Sequence, residues 1–178
     1  MRIKVVVRIT GSLLDAGYVK FSRIIKELKG RIRHLDTFTS TYDVEVSFTR
    51  RDFRSDFIDE VSKLSRYCSA SVRVYVVINE KERLLMALKD KKIKYAKVDG
   101  NIRFAVIKDN VLFLHEYNSR SGVLHIYVIP GIHVNVDTNL LALSEFSSYV
   151  ASSSIRCDST VVEYAVKKAL AHIDELLS

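Results

Sequence analysis

The chain of 178 residues has no tryptophan, no glutamine, one proline, two cysteines and six glycines. Each scarcity excludes something. Cys68 and Cys157 form no CxxC and no Cys/His pair at ligand spacing, which excludes a zinc finger or ribbon and a disulfide-dense scaffold. Two isolated cysteines read as reduced core residues. The absence of glutamine is a trait of heat-adapted proteins, in which thermolabile amides are reduced. It is consistent with a thermophilic source, where a Cys68–Cys157 bridge becomes the alternative. No apolar run approaches the roughly 18 residues of a membrane helix. The basic start MRIKVVVRIT is interrupted by Arg8 and reads as a first strand, not a signal peptide. The expected location is the cytoplasm, with no membrane partner.

What is present is a folded domain's composition, 48% hydrophobic and 28% charged. The charge is split. Residues 1–108 carry 24 Lys/Arg against 13 Asp/Glu; residues 109–178 carry 4 against 8. The net charge of +7 therefore understates a positive field concentrated in the first part, and such a field attracts polyanions.

Periodicity supplies the elements. RIKVVVRI at 2–9 is a first strand ended by Gly11, and Phe21, Ile24, Ile25 and Leu28 mark one face of a helix over 13–29 that Gly30 terminates. Strands follow at 31–38 and 41–49. In the second, Tyr42, Val44, Val46 and Phe48 alternate with Asp43, Glu45 and Ser47. A helix over 52–66 and a strand over 71–78 complete a β-α-β-β-α-β order, which folds economically as a ferredoxin-like sandwich, residues 1–78. Residues 79–178 read as a helix-flanked antiparallel meander packed tightly on that unit. It has a helix over 80–91, with Asn79 and Glu82 at capping-box spacing, and strands at 93–98, 102–108, 111–117, 123–129 and 132–136. Helices over 138–151 and 160–177 end the chain, the second capped by Thr160 and Glu163. The fold class is α+β, and Val44, Val46, Val74 and Val76 should share one core with Phe21, Ile25 and Phe57.

The candidate site residues are the basic stretches. Lys20, Arg23, Lys26, Arg31 and Arg33 surround the first helix, Arg50 and Arg51 precede the second, and Lys89, Lys91, Lys92 and Lys94 interleave with Tyr95. Cations with an aromatic among them suit phosphate contacts plus a stacking platform. The order of elements is shared with RNA-recognition motifs, whose central strands turn aromatics outward to stack bases. Here those strands offer Lys4 and Arg8 beside Asp43 and Glu45, with Arg73 and Tyr75 next, a face that pairs its own charges. Nucleic acid, RNA more than duplex DNA, is therefore expected on helices and loops.

The alternatives are a small-molecule-binding or regulatory domain, with its ligand between meander and last helix, and a docking subunit for a protein partner or a second copy. No catalytic motif is present: GSLLDAG at 11–17 lacks the Walker lysine, Gly11 reads as a turn residue, and GxSxG does not occur. No cofactor is implied. If Tyr117 pairs with Val123, His115 faces His125 across a hairpin. With no third ligand fixed, the pair reads as polar neighbours and not as a metal site.

Overall fold

The computed structural model describes residues 1–132 and 136–178. It is a mixed α+β structure with one large antiparallel sheet flanked by helices. In chain order the elements are β1 (Ile3–Leu13), α1 (Tyr18–Glu27), β2 (Arg31–Asp36), β3 (Thr41–Thr49), α2 (Asp56–Lys63), β4 (Ser65–Val77), α3 (Lys81–Asp90), β5 (Ala96–Val98), β6 (Asn101–Lys108), β7 (Val111–Asn118), β8 (Val123–Pro130), α4 (Thr138–Leu143), α5 (Phe146–Ala151), β9 (Ile155–Arg156) and α6 (Ser159–Leu176). The strands lie in the order β2-β3-β1-β4-β8-β7-β6-β5. Short β9 pairs with Ser69 and Ala70 of β4, continuing the edge that β8 takes from Val72 onward.

One face of the sheet carries the main core. Val5, Val7 and Ile9 of β1, Val44 and Val46 of β3, and Val72, Val74 and Val76 of β4 pack with Phe21 and Ile25 of α1 and Phe57 and Val61 of α2. The valine alternation anticipated this core. Leu84 and Leu88 of α3 and Val162, Val166, Ala169 and Ile173 of α6 extend the same core across the meander strands. Each large side chain so buried contributes about 1.5–3 kcal/mol. On the opposite face α4 and α5 pack at the β5–β8 end, where Ala105, Leu112 and Leu114 meet Leu141 and Phe146, and the end of α5 borders a cavity beside Arg8, Thr10 and Ser69. Strand β7 is therefore buried on both sides, and Val111–His115 is an unbroken buried run.

Several sequence expectations shift. The first helix starts at Tyr18, because β1 runs on to Leu13 against both β3 and β4. Its left-handed exit residue is Lys29, at φ 53°, and not Gly30. The second helix is shorter than 52–66: Phe53 precedes it and packs edge-on against Phe48. Neither expected capping box forms. Glu80 occupies the N-cap of α3 without a side-chain bond, and Asp158 caps α6 by accepting from the Thr160 and Val161 amides. The helix over 138–151 is broken into α4 and α5, and the strand over 132–136 falls largely outside the described residues.

Two corrections concern small residues. Cys68 and Cys157 are joined in a disulfide, with Cα atoms 5.8 Å apart, and are not two free thiols. Pairing of β9 with β4 brings the two positions together. Gly11 is no turn residue: it lies within β1, opposite Cys68. A Cβ at Gly11 would sit 2.3 Å from the Tyr67 carbonyl oxygen and 2.8 Å from the Tyr42 hydroxyl. Backbone cannot yield as a side chain can, so Gly11→Ala should cost about 1–3 kcal/mol. An unchanged urea midpoint for that variant would refute this account of the β1–β4 approach.

Candidate nucleic-acid interface

Phe21, Ile24 and Ile25 turn one side of α1 into the core. Helical geometry then leaves Lys20, Arg23 and Lys26 together on the outer side, and all three are exposed. The chain turns through Gly30 straight into β2, an edge strand whose first four residues are exposed. Arg31 and Arg33 lie on that edge. Arg33 donates to Glu45 at 2.9 Å, and Arg31 is in no ion pair among the described residues. Arg50 is also engaged: both its terminal nitrogens reach the Asp174 carboxylate, at 2.8 and 2.5 Å, tying the turn before α2 to α6. That guanidinium holds the Asp174 carboxyl below its ordinary range. Neighbouring Arg51 is exposed and in no ion pair among the described residues.

The second basic group lies elsewhere. Lys89 lies in the last turn of α3, and Lys91, Lys92, Lys94 and Tyr95 lie between α3 and β5. All are exposed. Strand β5 is the opposite edge of the sheet from β2. Seven spacings of about 4.8 Å put the two edges about 34 Å apart across the sheet. The fold thus gathers Lys20, Arg23, Lys26, Arg31 and Arg33 at one edge and Lys89, Lys91, Lys92, Lys94 and Tyr95 at the other.

The face of β2-β3-β1-β4 turned away from α1 and α2 pairs its own charges, as the sequence suggests. Arg8 donates to Asp43 through two nitrogens, at 2.9 and 2.6 Å, and this holds the Asp43 carboxyl below its usual range. Arg73 lies 6.0 Å from the Tyr75 ring centre.

The histidines are arranged differently from expectation. Asn118 stays in the ladder opposite Val123, while its side-chain oxygen accepts the Arg120 and Ser121 amides and closes a four-residue loop ending at Gly122, φ +68°. The register is therefore one residue off the expected one, which reverses the faces. His115 pairs with Ile126 and points into the core; His125 pairs with Glu116 on the other side, beside Tyr75. The partner of His115 is His172 of α6, Nε2 to Nε2 at 2.7 Å. His115 Nδ1 lies 3.2 Å from the Phe104 carbonyl and donates to it. Its Nε2 then accepts the proton carried by His172 Nε2. Phe104 stacks on His115 at 4.0 Å and Phe113 on His172 at 4.3 Å. Burial pushes His115 well below the ordinary histidine range, reinforced by repulsion from His172, and burial takes His172 down to about 4. The pair is neutral at neutral pH.

No protein-family model matches this chain, and no curated protein matches it. Among solved structures, the aspartate kinase of Clostridium acetobutylicum, described as an important allosteric enzyme for industrial amino acids production, is similar over 85% of this chain and 32% of that one. Identity is 13% and the TM-score 0.23. The chain spans about a third of that enzyme's length, and a likeness this slight supports no inference about the fold or its activity.

The crevice between the meander and α6 is lined by Lys108, Asp109, Phe113, Lys168, Ala171, His172 and Glu175, and has a volume of about 110 Å³. Pockets for metabolites are typically about 300–1,000 Å³. Two ion pairs, Lys108 with Glu175 and Lys168 with Asp109, lie in its walls. It has room for a few waters, and His172 at its base is only 6% exposed. Among the described residues no group of three or more His, Cys, Asp or Glu could hold a metal ion.

Proposed function

We propose that the chain binds nucleic acid by its phosphate backbone, RNA in preference to groove-read duplex DNA. Helix α1 with the β2 edge is the main contact, and residues 89–95 are a second. The observation that carries this reading is the state of the cations. Of the eleven candidates, Lys20, Arg23, Lys26, Arg31, Arg51, Lys89, Lys91, Lys92 and Lys94 are exposed and outside every ion pair among the described residues. Acids of α6 are meanwhile occupied, Asp174 by Arg50 and Glu175 by Lys108. Unpaired cations keep a field that neighbouring carboxylates would otherwise cancel, and a polyanion neutralising them releases its counterions. Duplex reading is disfavoured because the exposed helix is short and, among the described residues, no helix-turn-helix pair is built around it.

In this reading residues 1–78 are a ferredoxin-like unit, with strand order β4-β1-β3-β2 and α1 and α2 on one face. Residues 79–178 add the meander through the β4–β8 pairing. The sheet face turned away from α1 and α2 pairs its own charges, so helix and edges serve the ligand. The location proposed with this reading is the cytoplasm, where RNA is available.

The test is a titration of fluorescent single-stranded RNA at salt from about 50 to about 200 mM. Log affinity should fall linearly with log salt, by about 0.7 per phosphate neutralised. Replacing Lys20, Arg23 and Lys26 together with serine should reduce the slope by about 2 and leave the fold intact. Affinity indifferent to salt would remove the proposal.

A further inference from the structure

Beside β5 the surface has a groove of about 360 Å³ with mostly apolar walls. Its walls come from two distant segments: Ile93, Lys94, Tyr95 and Ala96 before and in β5, and Asn139, Ala142 and Leu143 of α4. Tyr95 is 42% exposed and Leu143 58% exposed, an apolar surface left uncovered at a sheet edge. Around it, residues 89–97 read KDKKIKYAK, five lysines against one aspartate. Lys91, Lys92, Lys94 and Lys97 are exposed and in no ion pair among the described residues.

Taking the nucleic-acid reading above as its basis, we infer that this groove seats one unstacked base of a single-stranded nucleic acid against Tyr95, with the flanking phosphates on the surrounding lysines. Charge selects the occupant: an apolar slot ringed by unpaired cations fits a ligand that is anionic along its backbone and flat and apolar in its side groups. A nucleobase has a π-face for the tyrosine ring and polar edges for the Asn139 amide, which can both donate and accept. The groove is large enough for one base. Duplex nucleic acid keeps its bases stacked and can use only the lysines. The β5 edge thereby supplies a preference for single strands that the α1–β2 cations alone do not produce.

The experiment compares three nucleic-acid probes of equal length on the full chain by fluorescence anisotropy, with polyglutamate as a competing polyanion: a single-stranded oligouridine, the same sugar–phosphate chain without bases, and a paired duplex. Oligouridine should bind about tenfold more tightly than the abasic chain. Tyr95→Ala should abolish that difference without altering the salt slope, and Tyr95→Phe, which keeps the ring, should retain it. If wild-type protein binds oligouridine and the abasic chain equally, with a normal salt slope, the base seat is refuted and backbone binding survives. If Tyr95→Ala binds oligouridine as tightly as wild type, the seat is also refuted. Tighter binding to polyglutamate than to any nucleic acid would overturn it in favour of an acidic protein partner. Absence of salt-dependent binding to all three probes would remove the parent reading as well.

Discussion

Replacing Cys68 and Cys157 together with alanine should lower the unfolding free energy by about 4 kcal/mol and the melting temperature by about 10 °C. The bridge spans 89 residues, and closing so long a loop removes much freedom from the unfolded chain. It also holds a weak place. Strand β9 is two residues long and pairs only with Ser69 and Ala70, and the start of α6 is fastened further by Ser159, which donates to Asp59 through its amide and hydroxyl. Without the bridge only those short contacts hold β9 to β4, while α6 keeps the core packing of Val162, Val166, Ala169 and Ile173. A reducing agent should reproduce the destabilisation in wild-type protein and have no effect on the double variant. Identical melting of wild type with and without reductant, or two titratable thiols in protein unfolded without reductant, would refute the bridge.

The same bridge marks where reading the sequence stops. Periodicity identifies α1, β3 and the second half of β4 because each has one wet and one dry face, and a residue such as Asp43 between Tyr42 and Val44 leaves no other register. Strand β7 carries no alternation, since helices cover both its faces, and only the turns around it give it away. The cysteine pairing depends on β4 extending back to Ser65 and on two residues of β9, neither of which has a composition signal. The basic residues are legible one by one. Their division between two edges is a matter of strand order, which no local pattern encodes. The histidine pair was the least legible. It needed the loop register, which the Asn118 side chain sets, and a partner 57 positions away on α6. Two neutral imidazoles enclosed by phenylalanines leave a signature that acid can expose.

Acidification from about pH 6.5 to about pH 4 should cost about 3 kcal/mol of stability through His172 alone, with His115 adding to it. Both rings are held neutral in the fold by burial, so their folded pKa values lie below the ordinary 6.5. In the unfolded chain each takes a proton as the pH drops through about 6.5, while the folded His172 resists until about 4. Between those limits the unfolded state binds more protons, so stability rises with pH; the contribution is whole above about 6.5 and gone once the pH has fallen through the folded value. The carboxylates held low by partners, Asp43 by Arg8 and Asp59 by Ser159, act in a separate window. Their stabilisation is present above the ordinary aspartate range and is lost only as the pH falls through their lower folded values. Urea titrations across the histidine window should give a slope of about 2 kcal/mol per pH unit from the pair. The double variant His115→Phe, His172→Leu removes both polar partners at once, leaving no orphaned donor in the core. It should lose that part of the slope while staying folded at neutral pH. If wild type and variant lose stability in parallel between about pH 6.5 and about pH 4, the two histidines are not what the fold protects from protons.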